Sequence, residues 1–259
     1  MRIARIAHPE GVAFVAVEGD GDDQVAAEIA EHPFGTPTFT GRRWPLADTR
    51  LLAPILPSKV LCVGKNYADH AKEMGGEAPT SPVIFMKPST SVVGPGAAIK
   101  LPPDSTRVDF EGELAIVIGM PCRDVPAARA KDVILGYTIA NDVTARDQQQ
   151  ADGQWTRAKG HDTFCPLGPW ITTGVELQTA AGLDLKTTVD GAVKQDSNTA
   201  LLIHEIPELI EWISRVMTLL PGDVILTGTP AGVGPLAVGQ SVSVTIESLG
   251  TLTNTVQNR

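Results

Sequence analysis

The stretch Asp109-Phe110-Glu111-Gly112-Glu113-Leu114-Ala115-Ile116-Val117-Ile118 joins two acidic side chains to an apolar run that is typical of a buried strand. Side chains alternate between the faces of a strand, so Glu111 and Glu113 are predicted to point the same way, about 7 Å apart. Two carboxylates on one face repel each other unless a cation lies between them. Gly112 often marks a close backbone approach in such a strand, which favours a site over a solvent-facing polar edge.

A further acidic group follows the next long apolar strand of the sequence. The predicted strand Ile134–Asn141 ends at Asp142, and strand ends are common places for functional side chains. Asp142 is therefore a candidate third carboxylate beside the two glutamates, and Mg²⁺ prefers carboxylate oxygens and water as ligands. The alternative from this segment alone is a helix-capping aspartate followed by a surface ion pair between Arg146 and Asp147.

A histidine and a glutamate lie three residues apart in a predicted short helix. Asn66 is expected to cap this helix, and Gly75-Gly76 is expected to end it. His70 and Glu73 share one helix face at this spacing, so the carboxylate can orient the imidazole and raise its basicity as a general base. The alternative is a surface pair, which is the commoner role of His-x-x-Glu on a helix.

Two loop-like stretches carry groups that can bind an anion. Lys159 lies in the stretch Trp155–Trp170 and is a candidate ligand for a substrate carboxylate or an enolate. Leu226–Pro235 contains three glycines, and backbone N–H groups can approach an anion closely at that density. No Gly-Lys-Ser/Thr follows, so this second stretch is not a P-loop. The alternatives are an exposed lysine and a tight turn.

The remaining pattern predicts an α+β, mainly β fold. Met1–Ile6 and Val12–Glu18 are predicted to form a hairpin, and the apolar spacing from Ile203 to Leu220 predicts one amphipathic helix that Pro221-Gly222 ends. Strands without regular helix alternation argue against a doubly wound sheet. The further predicted strands are Lys59–Val63, Pro82–Met86, Trp170–Thr173, Asp184–Val189, Asp223–Thr227 and Val242–Ile246.

A proline-rich stretch with little periodicity separates two predicted domains. It ends near Pro54–Pro57, just before a new apolar strand begins. We therefore predict a small N-terminal β domain over residues 1–55 and a metal-binding catalytic domain over residues 56–259.

The composition limits the class of protein. The chain has 259 residues, of which 42% are hydrophobic and 20% charged, as in ordinary globular proteins. The formal charge of −9 argues against nucleic-acid binding, which needs a basic surface. No apolar run approaches the roughly 20 residues that cross a bilayer, and the N-terminus lacks a secretory signal, so we expect a cytoplasmic protein without a membrane partner. The three cysteines form no paired motif and are expected to be reduced, mostly buried thiols.

Six segments in this order resemble the fumarylacetoacetate hydrolase family. They are Gly64–His70, Met86–Ser89, Asp109–Ile118, Asn141–Asp147, Lys159–Pro169 and Thr227–Gly234. The resemblance covers residues 58–247 and is closest to short bacterial and mitochondrial members that act on acylpyruvates, oxaloacetate or hydroxyheptadienedioate. Residues 1–55 are more weakly similar to the small, variable N-terminal domain of the family.

The resemblance implies a mixed β-roll catalytic core, a homodimer, a bound Mg²⁺ or Mn²⁺ ion, and a small anionic 2-keto acid as substrate. The residues that match the site of the family are the metal ligands Glu111, Glu113 and Asp142, the catalytic His70, Glu73 and Lys159, and the substrate-binding Gln149 and Thr229. The additional aspartate ligand of the larger eukaryotic members has no counterpart here, which favours the smaller subgroup.

The reaction that the resemblance implies is hydrolysis of a carbon–carbon bond in an acylpyruvate through a metal-bound enolate, as in aromatic catabolism. Isomerisation of 2-hydroxyhepta-2,4-diene-1,7-dioate and decarboxylation of oxaloacetate share that enolate and are the alternatives. A catalytically silent relative that binds metal and keto acid is the non-enzyme alternative, and binding without turnover would identify it.

Overall fold

Five strands build the N-terminal end of the computed structural model, which describes residues 1–259. They are β1 (Arg2–His8), β2 (Gly11–Glu18), β3 (Val25–Ile29), β4 (Phe39–Pro45) and β5 (Arg50–Leu52). β1 and β2 form the predicted hairpin, in register from Arg2 opposite Val17 to His8 opposite Gly11. β3 pairs with β2, and β4 pairs with β3, so the hairpin extends into a meander.

Fifteen further strands and five α-helices follow, which confirms a mainly β fold with few helices. They are β6 (Val60–Gly64), α1 (Ala68–Glu73), β7 (Val83–Lys87), β8 (Val92–Val93), β9 (Ala98–Leu101), β10 (Val108–Phe110), β11 (Gly112–Ile118), β12 (Ile134–Asn141), β13 (Thr144–Ala145), α2 (Arg146–Asp152), α3 (Thr156–Gly160), β14 (Cys165–Thr172), α4 (Leu177–Ala180), β15 (Asp184–Val189), β16 (Ala192–Asn198), α5 (Ile206–Val216), β17 (Val224–Leu226), β18 (Gly234–Pro235), β19 (Ser241–Ile246) and β20 (Gly250–Asn258). None of the helices has the length and apolar character needed to cross a bilayer.

One twelve-stranded mixed sheet contains most of the strands. Its order is β4-β3-β2-β1-β14-β12-β11-β17-β6-β7, with β5 on β1 and β8 on β14. β17 and β6 are parallel, whereas β11 is antiparallel to both β12 and β17. A five-stranded sheet, β16-β15-β19-β20-β9, and a three-stranded sheet, β13-β10-β18, complete the β structure. The N-terminal meander continues the large sheet because β1 pairs with β14.

The central strand β11 is buried on both faces. Leu114, Ile116 and Ile118 belong to a cluster of 23 buried apolar residues that includes the inner face of α5. The alternate residues Ala115 and Val117 belong to a separate cluster of 13. Because one strand is packed into two cores, its first residues are held at a fixed position at the edge of both.

The helix predicted over residues 203–220 is too long at both ends. α5 has 11 residues, and Met217 directly after it adopts an extended backbone. Leu219 then forms an antiparallel bridge with Cys122. The apolar pattern continues beyond the helix because Leu219 is buried in the same cluster as α5 through a different backbone conformation.

The prediction that Asn66 caps α1 is wrong. The helix follows Tyr67, which makes no side-chain cap bond. Asn66 is buried, and its Nδ2 donates to the carbonyls of His204 at 3.0 Å and Thr227 at 2.8 Å. Its Oδ1 accepts the His204 N–H at 2.8 Å. The side-chain amide of Asn66 therefore joins its own segment to two distant ones. Gly75, with φ of 75°, follows the end of α1 as expected.

The stretch from Trp155 to Trp170, predicted to be loop-like, contains α3 and most of β14. β14 begins at Cys165, five residues before the predicted strand. Lys159 therefore lies on a helix, and it is buried.

Candidate active site

Strand register brings the predicted acidic residues together. In the antiparallel pair of β11 and β12, Gly112 lies opposite Asn141, so residues 111 and 142 meet just beyond the pair. The Asp142 N–H donates to the Glu111 carbonyl at 2.8 Å, and the Glu111 N–H donates to Asn141 Oδ1 at 2.9 Å. The single strand predicted to hold Glu111 and Glu113 is interrupted, since Glu111 lies in the break between β10 and β11.

Glu111, Glu113 and Asp142 form a buried acidic cluster. Each supplies one carboxylate oxygen to a group in which all of these oxygens lie within 4.8 Å of one another. The residues are 4%, 2% and 1% exposed. Gly112 permits this arrangement, because a Cβ atom there would lie 2.3 Å from Thr187 Oγ1 on β15. The close backbone approach predicted at Gly112 is therefore confirmed.

Two buried cations contact this acidic cluster. Lys159 Nζ donates to Glu111 Oε2 at 2.7 Å and to Asp142 Oδ2 at 2.6 Å. Arg146 Nη2 donates to Glu111 Oε1 at 2.6 Å, and its Nε donates to Asp109 Oδ2 at 3.0 Å. The alternatives of an exposed lysine and of a surface ion pair at Arg146 are therefore wrong.

A third buried cation, Lys87, contacts the other oxygen of Asp142. Its Nζ donates to Asp142 Oδ1 at 2.5 Å and to the Val143 carbonyl at 3.0 Å, and its side chain is fully buried. Asp142 is not a helix cap, because the residue in the cap position of α2 is Ala145. Both oxygens of Asp142 are thus held by lysines from different elements.

Opposing effects set the charges of Glu111 and Lys159. Burial alone would raise the pKa of Glu111, but the charges of Lys159 and Arg146 outweigh burial and lower that pKa. Burial alone would lower the pKa of Lys159, but Asp142 and Glu111 outweigh it and raise that pKa. The lysine and Glu111 are therefore both charged at neutral pH.

Glu113 is the carboxylate that no cation contacts. Its Oε2 accepts the Gly228 N–H at 2.6 Å. Burial raises the pKa of Glu113, and the charges of Asp142 and Glu111 raise it further. The buried charged side chains of this region are the carboxylates Asp109, Glu111, Glu113 and Asp142 and the cations Lys87, Arg146 and Lys159, and the half-exposed Arg107 also pairs with Asp109. Hard carboxylate oxygens, one of them on a group that no cation contacts, fit a divalent cation, whose charge would favour the ionised form of Glu113.

His70 and Glu73 form a pair on α1. His70 Nδ1 lies 3.1 Å from Glu73 Oε2, and the His70 side chain is 7% exposed. The carboxylate of Glu73 also accepts the N–H of Gly232 at 3.1 Å, which ties the helix to the glycine-rich stretch after β17. The alternative of a surface pair is wrong for His70, whereas Glu73 is partly exposed.

Gln149 and Thr229, the predicted substrate contacts, are held by neighbouring groups. Gln149 Oε1 accepts from Arg146 Nη1 at 2.7 Å. Thr229 Oγ1 donates to the Gly112 carbonyl at 2.9 Å and accepts from Gln195 Nε2 at 2.8 Å. Because this hydroxyl is already bonded to the protein, Thr229 can contact a ligand through its backbone N–H or its remaining lone pair.

A cavity of about 150 Å³ joins these groups. Of the eight predicted site residues, seven line it: His70, Glu111, Glu113, Asp142, Gln149, Lys159 and Thr229. Glu73 stands behind His70 and does not line the cavity. The apolar wall of the cavity consists of Val63, Met74, Phe85 and Trp155. A few convergent polar groups beside an apolar wall are typical of a small-molecule site.

Lys87 and Arg146 are the site residues that sequence reasoning missed. Both lie in segments that match the family, and Arg146 follows Asp142 by four residues. The position of Arg146, four residues after Asp142, was the sequence feature that could have indicated its place in the site. Burial of the two cations could not be read from it, because isolated basic residues are usually exposed.

The buried thiols contribute no nucleophile. Burial raises the pKa of Cys165 to about 12 and also raises the pKa of Cys62. Neither thiol lines the cavity. Because the thiolate is the reactive form, both side chains act as small apolar groups of the core.

Two family models match the chain. The model described as fumarylacetoacetate (FAA) hydrolase C-terminal matches residues 59–257, and the one described as Rv2993c-like, N-terminal matches residues 1–54. Protein Rv2993c of Mycobacterium tuberculosis (strain ATCC 25618 / H37Rv) is 66% identical over 259 residues, which cover 99% of this chain and 98% of that protein.

Further relatives have names that describe an activity. The 5-carboxymethyl-2-hydroxymuconate delta-isomerase from Mycobacterium smegmatis, known from a crystal structure, is 64% identical in sequence to this chain. The two structures superpose with a TM-score of 0.94, and the match covers 100% of both chains. The mitochondrial oxaloacetate tautomerase Fahd2a of Rattus norvegicus is 43% identical over 221 residues, which cover 82% of this chain and 71% of that protein.

Proposed function

This chain belongs to the fumarylacetoacetate hydrolase family, and we propose that it hydrolyses a carbon–carbon bond in a small acylpyruvate-type 2-keto acid with the help of Mg²⁺ or Mn²⁺. The observation that carries the proposal is the shared cavity, where a buried acidic cluster faces His70, the imidazole that Glu73 orients. Such a cavity combines a place for a cation with a positioned base.

Glu111, Glu113 and Asp142 would hold the divalent ion. When bound there, the ion supplies Lewis-acid polarisation of the keto group. Burial and the charges of Asp142 and Glu111 disfavour ionisation of Glu113, and a cation bound among the three carboxylates would relieve that penalty. The carboxylate oxygens of these three residues are hard donors, which favour Mg²⁺ or Mn²⁺ over a thiophilic metal.

Lys159 and Arg146 would neutralise the near end of the substrate. Both line the cavity and donate to carboxylates of the acidic cluster. A Lys159 ammonium turned toward the ligand stabilises the negative charge that develops on the keto oxygen during enolate formation. Gln149, which Arg146 holds through its guanidinium, is the proposed polar contact to the substrate.

His70 would act as the general base, with Glu73 fixing the orientation of its ring. The imidazole takes a proton from water, and the resulting hydroxide adds to the distal carbonyl carbon. Collapse of this adduct breaks the bond between the distal carbonyl and the neighbouring methylene carbon. The electron pair of that bond forms the pyruvate enolate, the acyl group leaves as a carboxylic acid, and protonation of the enolate carbon gives pyruvate.

Isomerisation or tautomerisation is the second candidate, favoured by the names of the M. smegmatis and rat relatives. The same histidine can remove a proton next to the keto group and return it at another carbon. No water is consumed in that case. Decarboxylation of oxaloacetate passes through the same enolate and needs no water-activating base. A silent binding relative would bind keto acid without turnover.

A substrate panel separates these reactions. Purified protein with Mg²⁺ is given fumarylpyruvate, oxaloacetate and 2-hydroxyhepta-2,4-diene-1,7-dioate, and loss of enol absorbance yields kcat/KM for each. We expect fumarylpyruvate to be preferred, with one ¹⁸O atom from labelled water in the released carboxylate. A preference of about a hundredfold for another substrate, roughly 2.7 kcal/mol in transition-state binding, would replace hydrolysis by that reaction. Binding of oxalate without turnover of any substrate would support the silent relative.

A further inference from the structure

Lys65 is the cation of the cavity that no carboxylate contacts. Lys159 and Arg146, which line the same cavity, donate to Glu111 and other carboxylates, whereas Lys65 takes part in no ion pair or hydrogen bond of the structure. It is partly exposed, while the acidic cluster below is buried. Lys65 therefore lies toward the entrance, with a free ammonium group.

The backbone holds Lys65 in an unusual conformation. Its φ is 56°, in the left-handed region that residues other than glycine rarely adopt, at the residue directly after β6. The ring of Trp155 packs on the preceding residue, since a Cβ atom on Gly64 would lie 2.8 Å from it. The side chain extends toward the end of α1, where a Cβ atom on Gly76 would lie 3.0 Å from Lys65 Nζ. Such local strain persists where surrounding structure enforces it, often at ligand sites.

Three zones of the cavity define the ligand that would fill it. In the proposed function the floor binds a carboxylate and a keto group, and the wall formed by Val63, Met74, Phe85 and Trp155 would contact an uncharged segment. Lys65 adds a positive charge at the entrance. A divalent ion at the acidic cluster and the unpaired Lys65 would each add positive charge to the cavity, which favours a dianion over a monoanion.

We propose that Lys65 is a specificity-determining residue that binds a second carboxylate at the far end of the substrate. This inference rests on the proposed function, because that function places the keto carboxylate at the metal. Lys65 would discriminate 2-keto dicarboxylates from 2-keto monocarboxylates of the same length. It would take no part in the bond-breaking step, which occurs next to His70.

The test uses a matched pair of ligands that the proposed reaction does not cleave. Calorimetry measures binding of 2-oxoglutarate and of 2-oxopentanoate, which lacks the far carboxylate, to Mg²⁺-loaded protein. A charge-assisted hydrogen bond predicts that the wild type prefers 2-oxoglutarate by about tenfold. Lys65→Met should reduce this preference to about twofold or less, Lys65→Arg should keep most of it, and oxalate should bind all three proteins equally.

Lys65→Asn is a second neutral variant, because asparagine tolerates the left-handed conformation well. It should lose the preference as Lys65→Met does, which separates the lost charge from a disturbed backbone. An equal preference in the wild type and both neutral variants would overturn the role of Lys65 while leaving the proposed function standing. Failure of the wild type to bind oxalate and both oxo acids would overturn the proposed function, and this inference with it.

Discussion

Ion pairs in the N-terminal meander and ion pairs in the cavity have the same chemistry in different surroundings. Arg43 on β4 pairs with Glu18 on β2, and their side chains are 52% and 49% exposed. The side chains of Lys159 and Asp142 are 3% and 2% exposed. An exposed pair contributes about 0 to 1 kcal/mol, whereas removing one partner of a buried pair costs about 3 to 5 kcal/mol.

The difference shows which charged groups of this protein are buried at a cost in desolvation free energy. The Arg43–Glu18 pair stays largely solvated in the folded protein, so its formation costs little desolvation. Around the acidic cluster the fold buries seven charged groups, which apolar residues of similar size would replace at lower cost. Such an arrangement is typical of a functional site rather than of a structural core.

The largest expected effect is loss of activity when the acidic cluster is broken. Glu113→Ala, or dialysis against a chelator, should lower kcat/KM for the preferred substrate by about 10⁴-fold, because the Lewis acid contributes several kcal/mol to catalysis. Circular dichroism should show an intact fold. Glu18→Ala in the meander is the control and should keep full activity. Full activity of the chelator-treated protein would contradict the metal requirement.

The next effect concerns His70 and Glu73 as a unit. His70→Ala, Glu73→Ala and the double variant should each lower kcat by about 10³-fold, since a general base contributes 10²–10⁴-fold and coupled residues are not additive. Steady-state kinetics of the four proteins form a double-mutant cycle. If the two losses multiply in the double variant, the residues act independently and the dyad is disproved.

Burial of Lys87 predicts a large effect on stability. Lys87→Met should lower the free energy of unfolding of the metal-free protein by about 3 kcal/mol, because Asp142 Oδ1 loses its buried partner. Urea denaturation measures the change. Mn²⁺ binding should also weaken, since one ligand oxygen is no longer oriented. A change in stability below about 1 kcal/mol would show that Lys159 alone compensates the charge of Asp142.

The smallest effect is expected from the same replacement in the meander. Arg43→Met removes an equally well-formed ion pair, but solvent already screens it. Its free energy of unfolding should change by less than about 1 kcal/mol in the same urea titration. A loss as large as that of Lys87→Met would mean that burial does not explain the contrast between the two regions.

The sequence by itself determined the class of fold and most of the side chains that meet in the candidate site. Strand periodicity and turn residues are local signals, so the hairpin of β1 and β2 could be predicted, and the glycine at position 112 marked a close approach. The ordered motifs that resemble the family identified seven residues that line one cavity, together with Glu73 behind His70. Local patterns suffice for the hairpin and for Gly112 because each depends on neighbours in the chain, whereas the site residues, which are far apart in the chain, were identified through the resemblance.

Only the tertiary structure decided where the helices end and which charges are buried. Leu219 continues the apolar pattern of α5 as part of a bridge to Cys122, and Asn66 binds segments more than a hundred residues away instead of capping a helix. The pairing of Lys87 with Asp142 joins β7 to the end of β12. These outcomes depend on contacts between distant segments, whose desolvation and register no local pattern encodes.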